Sequence, residues 1–240
     1  IFNLQNNKSE IVRLNSEKYI YDPSESLIDV IQKSQAISRK TEGIFDITVQ
    51  PLWNFYYKHF IIENKDSPPA TEDIKKITKM VNWKNVIIKD NKISLLSNAS
   101  ITLNGIAQGW ITDEIKKILQ KNGISDTLID FGETFALGNF EKKRPWNILL
   151  QGPDGIEEVI SLSNKAVATS SGYGTMFEPT AEYNHIFNPK TGISENKYKA
   201  VSIVSDNAWL SDAISTSALL LNRNKIKEVC NYFSVEAYLV

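Results

Sequence analysis

Apolar and polar positions along this chain follow two periods, and the period changes several times between its ends. In "DPSESLIDVIQKSQAISRKTEG" the residues Leu27, Val30, Ile31 and Ile37 recur at helical spacing, which places them on one face. Ser24 stands where an N-cap belongs, and Gly43 lies just past the end. The aromatic-rich "FDITVQPLWNFYYKHF" follows, with Pro51 opening a short helix. "NKDSPPATEDIKKITKM" reads as a solvated loop leading into a helix capped near Thr71. A long helix is expected in "NGIAQGWITDEIKKILQKNG", with Ile111, Ile115, Ile118 and Leu119 inward and Gly123 at its C-terminal end.

Elsewhere the period is that of strands. "NVIIKDNKISLL" holds two β-rich runs split by Asp90-Asn91, the pattern of a hairpin. "DTLIDFG", "WNILLQ", "EVISLS", "AVATS" and "KAVSIVS" read as strands, "NAWLSDAISTSALLL" as a buried helix after them, and "VEAYLV" as a closing strand. Helices and strands mix without a regular βαβ alternation. That predicts an α+β fold, a single domain over residues 1–240 with a mixed or antiparallel sheet and packed helices.

Composition narrows the function classes. Hydrophobic residues make up 42% and charged residues 23% of 240, an ordinary globular balance. The net charge of −1 argues against a general nucleic-acid or anionic-membrane binder. The single cysteine, Cys230, excludes an internal disulfide and a multi-cysteine zinc site, and its helical context reads as a buried structural thiol. No run of 18 apolar residues is present to form a membrane-spanning helix. The chain opens on "IFNLQNN", without a methionine or signal segment, and is expected to be trimmed of any targeting information.

Polar residues inside apolar elements supply the candidate chemistry. Asp212 interrupts the apolar helix, and Thr216 follows one turn later on the same face. Two oxygens there can hold a hard cation that backbone, water and substrate phosphates complete, or Asp212 can cap the helix while Thr216 bonds back to a carbonyl. Gly105 and Gly109 flank the start of another helix. Free N–H groups there suit a phosphate, and tight packing through small residues explains the glycines equally well. In "YNHIFNPKTG" a tight turn presents His185, which can serve as a general base or as a structural histidine. Asp46 reads as the cap of a helix starting near Thr48. The loop "VATSSGYGTMF" offers Tyr173 as a stacking surface for a planar ring, and Asp130 and Glu133 flank Gly132 as a carboxylate pair or a turn cap.

Taken in order, "KSEIVRLN", "TEGIFDITVQPLW", "LNGIAQGWITD", "LIDFGET", "AVATSSGY", "HIFNPKTG" and "SDAISTSALLL" resemble the FAD:protein FMN transferases, the ApbE family, over nearly the whole chain. The resemblance implies an ApbE-like α+β domain that uses Mg²⁺ and moves the FMN portion of FAD onto a threonine hydroxyl of a partner flavoprotein, releasing AMP. It implies Ala107 (through its backbone oxygen), Asp212 and Thr216 as metal ligands. Ile44, Phe45, Asp46, Asn104, Trp110, Tyr173 and Ile186 would form the flavin and adenine pocket, with His185 at the reaction centre. The resemblance leads us to expect that the family's N-terminal strand is missing or truncated here. Gln108 stands where the family has lysine, Gly132-Glu133-Thr134 where it has G-G-E/D, and Ser211 where it has alanine. Two alternatives stay open: a Mg²⁺-dependent FAD pyrophosphatase giving FMN and AMP, and a non-catalytic FAD-binding protein. By the same resemblance the partners are FAD and a threonine-bearing acceptor flavoprotein, with no nucleic acid and no membrane attachment beyond a removed N-terminal anchor. The expected place is the periplasm or the outer face of the cytoplasmic membrane.

Overall fold

A computed structural model describes residues 1–240, except for the side chains of Ile156 and Glu157. The fold is α+β, and every strand pairing is antiparallel. Its contacts gather into two compact units interleaved in sequence: residues 1–103 with 175–195, and residues 104–174 with 196–240.

The first unit begins with α1 (Glu10–Glu17), capped by Ser9; it buries only Ile11 and Leu14, too few apolar residues to announce a helix by periodicity. Strand β1 (Tyr19–Tyr21) leads into α2 (Glu25–Lys40). The Ser24 hydroxyl accepts the Leu27 N–H at 3.2 Å and donates to the Glu10 carboxylate at 2.5 Å, which ties the start of α2 to α1. The expected stripe of Leu27, Val30, Ile31 and Ile37 is fully buried, about 2 kcal/mol of hydrophobic stabilisation for each residue. Helix α3 (Gln50–Tyr57) starts with Pro51 in its first turn and runs into a π-helical turn (Lys58–Ile62). Helix α4 (Thr71–Thr78) has Thr71 as its first residue; Ala70 holds the cap position and makes no side-chain bond there. Strands β2 (Val86–Lys89) and β3 (Lys92–Leu95) form the hairpin, with Asp90 and Asn91 both at positive φ as a tight two-residue turn requires. β1 adds to β3 to complete a sheet of order β1-β3-β2.

The aromatic run acquires its meaning in this unit. Tyr56 is fully buried, and its ring lies 5.2 Å from Phe187, 6.0 Å from Phe177 and 6.3 Å from Phe60, centroid to centroid. Its hydroxyl donates to the Gly192 carbonyl at 2.9 Å. Residues 175–195 are thus anchored on α3 from both sides of His185. Gly192 has φ +73°, and a Cβ there would lie 2.1 Å from the Thr78 hydroxyl, so this close approach needs glycine.

The second unit opens with α5 (Ala107–Lys121) and continues through β4 (Thr127–Asp130), β5 (Thr134–Leu137), β6 (Trp146–Gly152), β7 (Gly155–Leu162), β8 (Lys165–Ser170) and β9 (Val201–Ser205). Helices α6 (Ala208–Ala218) and α7 (Arg223–Phe233) and strand β10 (Glu236–Leu239) close it. Five strands form a sheet of order β10-β9-β8-β5-β4, and β6 and β7 pair separately. One face of the larger sheet packs Ala136, Val167 and Val204 against Leu150, Ile160 and Leu162 of the β6–β7 hairpin. The opposite face packs Phe135, Leu137 and Ala166 against Ile115 and Leu119 of α5 and Ala208 of α6. All five residues of β9 are buried, which explains its unbroken small and apolar run.

One expectation for α5 fails. Ile115 and Leu119 face the core, but Ile111 is 37% and Ile118 60% exposed. The inward face is carried instead by Ala107, Gly109, Thr112 and Asp113, because α6 lies against α5 too closely for large side chains. A Cβ on Gly109 would sit 2.3 Å from the Ala208 carbonyl oxygen. Cys230 is buried, as its context predicts.

Candidate active site

Helix α6 is buried on almost every side, and its carboxylate is buried with it: Asp212 is 3% exposed. An ionised carboxylate in that position needs compensation of several kcal/mol. It accepts the N–H of Gly109 at 3.0 Å, one of the free donors in the first turn of α5. The favour is returned, since Asp113 of α5 accepts the Trp209 N–H at 3.1 Å in the first turn of α6 and pairs with Lys116 at 2.9 Å. The two helices therefore cap each other. Asp212 caps a neighbouring helix rather than its own, and Gly109 serves close packing while its N–H meets a protein carboxylate. Ala107, the first residue of α5, stands two positions before that contact.

Hydroxyls surround the same spot. Ser170, the last residue of β8, places its Oγ 2.7 Å from the Ser215 Oγ and 3.3 Å from the half-buried Thr216 Oγ1. Ser215 in turn donates to the Asp212 carbonyl at 2.9 Å. Thr216 thus bonds a hydroxyl of β8, in place of the carbonyl that was the alternative.

Glu133 carries its charge beside Asp212 as well as beside the exposed Asp130, with which the sequence offered it as a carboxylate pair or a turn cap. Glu133 is 8% exposed. The Thr169 N–H donates to its carboxylate, while Oε2 has no hydrogen-bond partner. It follows Gly132, whose φ of +93° makes the turn from β4 into β5, and the Thr112 hydroxyl lies 3.3 Å from its carbonyl oxygen. Burial pushes both carboxyls above the usual range, and the Asp212 charge beside Glu133 pushes Glu133 higher still; the Gly109 and Thr169 N–H groups pull the other way. No signal short of the fold separates Glu133 from an ordinary turn carboxylate. The donor set of buried carboxylates, hydroxyls and nearby backbone fits a hard divalent cation. Among the described residues no three His, Cys, Asp or Glu side chains form a metal group, so backbone, hydroxyl and substrate oxygens would have to complete one. Asn104 and Tyr173 are exposed and Trp110 is half-buried in this unit.

The first unit holds the remaining candidates. His185 N–H donates to the Thr175 carbonyl at 3.1 Å, and its Nδ1 lies 3.0 Å from the same oxygen. A carbonyl only accepts, so Nδ1 carries the proton and Nε2 keeps its lone pair. Burial lowers the His185 pKa, which holds the ring neutral near pH 7. Asn184, fully buried, shapes the segment: its Oδ1 accepts the Ile186 N–H at 2.9 Å and its Nδ2 donates to the Ala181 carbonyl at 3.1 Å. Ile186 is buried, and the turn closes through Gly192 N–H to the Asn188 carbonyl at 2.8 Å.

Asp46 caps a 3-10 turn (Ile47–Val49), accepting the Thr48 N–H at 2.7 Å and hydroxyl at 2.6 Å, and the Trp83 N–H at 2.8 Å. Burial raises it to about 6 against those bonds. Phe45 is buried beside it and Ile44 half-buried. Asp46 and the Pro189-Lys190-Thr191 turn open on one cleft of about 670 Å³, which Trp83 also lines. The structure thus gathers Ala107, Asp212 and Thr216 in one unit and shows Asp46 and the turn after His185 sharing a cleft in the other.

The family model described as "ApbE family" matches residues 1–239. The chain belongs to the ApbE family. Among its ApbE relatives is the FAD:protein FMN transferase of Haemophilus influenzae, 25% identical over 251 residues, covering 97% of this chain and 71% of that protein. The enzyme of the same name from Escherichia coli K12 is 24% identical over 250 residues, covering 97% and 70%. The ApbE protein of Thermotoga maritima superimposes with a TM-score of 0.89 at 26% identity, over 100% of this chain and 81% of that one. The apo flavinyl transferase ApbE of Pseudomonas stutzeri shares the fold, with a TM-score of 0.85 at 22% identity over 100% and 77%.

Proposed function

We propose that this ApbE-family chain, residues 1–240 acting as one catalytic domain, transfers the FMN portion of FAD to a threonine hydroxyl of an acceptor flavoprotein and releases AMP. The observation that carries the reading is the buried Asp212, without a cationic side-chain partner among the described residues, in a chain whose relatives are named FAD:protein FMN transferase. Asp212, Thr216 and the Ala107 carbonyl hold Mg²⁺ in this reading, and Ile44, Phe45, Asp46, Asn104, Trp110, Tyr173 and Ile186 hold the flavin and adenine groups. The ion held by these residues would supply positive charge against the pyrophosphate as AMP departs.

The chain's own chemistry centres on His185. A threonine hydroxyl is a poor nucleophile at neutral pH. The lone pair on Nε2 takes its proton as Oγ forms a phosphoester bond to the FMN phosphorus; the P–O bond to the AMP phosphate breaks, and its electrons leave with AMP. The Thr175 carbonyl fixes the tautomer and shares the charge that His185 acquires. By family resemblance we place this reaction in the periplasm or on the outer face of the cytoplasmic membrane, on membrane-associated flavoproteins. Among the described residues no helix is long and apolar enough to cross a membrane.

The test is product analysis after incubation with FAD and Mg²⁺, with and without a threonine-bearing acceptor domain. AMP released only with acceptor, and abolished by EDTA or Asp212→Asn, is expected. AMP and free FMN at equal rates with or without acceptor would make the chain a pyrophosphatase, and bound FAD without products would make it a flavin-binding protein.

A further inference from the structure

Glu133 is left unexplained by the reading above. Glu133 is 8% exposed, and it is held from two directions: Thr169 N–H fixes one carboxylate oxygen, and the Gly132 turn with the Thr112 hydroxyl fixes its backbone. The other oxygen, Oε2, is the only buried side-chain polar atom among the described residues that lacks a hydrogen-bond partner. The charged groups that act on it are Asp212 and Asp130, both of its own sign. A cation would resolve both the missing partner and the repulsion.

We propose that the Glu133 carboxylate is a further cation-facing group of the site built around Asp212, its free Oε2 turned to the same Mg²⁺. This rests on the reading of Asp212 as a metal ligand, and the experiment separates the two. Mn²⁺ is titrated into the substrate-free protein and followed by the loss of the free-ion paramagnetic resonance signal, with the Mn²⁺-induced rise in melting temperature as a second readout. Wild type, Glu133→Gln, Glu133→Asp and Asp212→Asn are compared.

Glu133→Gln is expected to weaken Mn²⁺ binding at least ten-fold and to shrink the melting shift, with Glu133→Asp falling between it and wild type. If Glu133→Gln fails to fold, Glu133→Asp decides alone, with affinity below wild type expected. Wild-type affinity in the folded Glu133 variants, alongside loss in Asp212→Asn, would overturn the role of Glu133 and leave the Asp212 site standing. Equal binding by all four proteins, or none by wild type up to millimolar Mn²⁺, would overturn both.

Discussion

Burial sets the state of the titratable groups at two positions, His185 and Asp46, and each gives a measurable pH dependence. His185 is neutral near pH 7 because burial lowers its pKa, so the acid limb of the transfer rate is expected to lie below the ordinary histidine value of 6.5. His185→Ala is expected to lose at least about 100-fold in transfer with FAD affinity unchanged, the usual scale for a lost general base; full activity would remove the residue from the mechanism. Asp46 behaves oppositely. Its folded pKa of about 6 exceeds the ordinary 3.8, so the folded state holds the proton longer and stability falls as pH rises between those values. The Asp46→Asn variant is therefore expected to gain on wild type across that window, by up to about 3 kcal/mol from the size of the shift. Urea unfolding at pH 4 and at pH 6.5 measures it, and a stability difference constant with pH would contradict it.

At the scale of elements, the decisive arrangement is the α5–α6 pair, which sets Asp212 against the first turn of α5 and brings Thr216 to Ser170. Gly109→Ala is expected to destabilise by at least about 2 kcal/mol, the scale of overpacking against a backbone that cannot yield. Ile118→Gln is expected to change stability by less than about 0.5 kcal/mol, whereas Leu119→Ala loses about 2 kcal/mol; denaturant midpoints distinguish them. That pair also marks the boundary of what hydrophobic spacing reveals. The stripe of α2, the Asp90-Asn91 hairpin, the Asp46 cap and most strands were legible, because each depends on residues close in sequence. The inward face of α5 was not, since closeness to α6 selects small residues over isoleucines there. Glu133 escaped for a similar reason: the groups that act on it include Thr112 of α5, Thr169 of β8 and Asp212 of α6, which no local pattern encodes. The run "WNFYYKHF" suggested a short helix, but its packing against residues 175–195 only the fold supplies.

Over the whole molecule, family membership and residue chemistry point the same way. The ApbE family model spans the chain from residue 1 to 239. Among the described residues no three His, Cys, Asp or Glu side chains gather at the candidate cation site, which suits a metal that a phosphate-bearing substrate completes. The most direct test of the proposed function is the intact mass of a threonine-bearing acceptor domain after incubation with this protein, FAD and Mg²⁺. An increase by one FMN unit less water, matched by one AMP released and absent with EDTA or when the acceptor threonine is replaced by alanine, is the expected result. An acceptor of unchanged mass beside a protein that binds FAD and releases no AMP would contradict it.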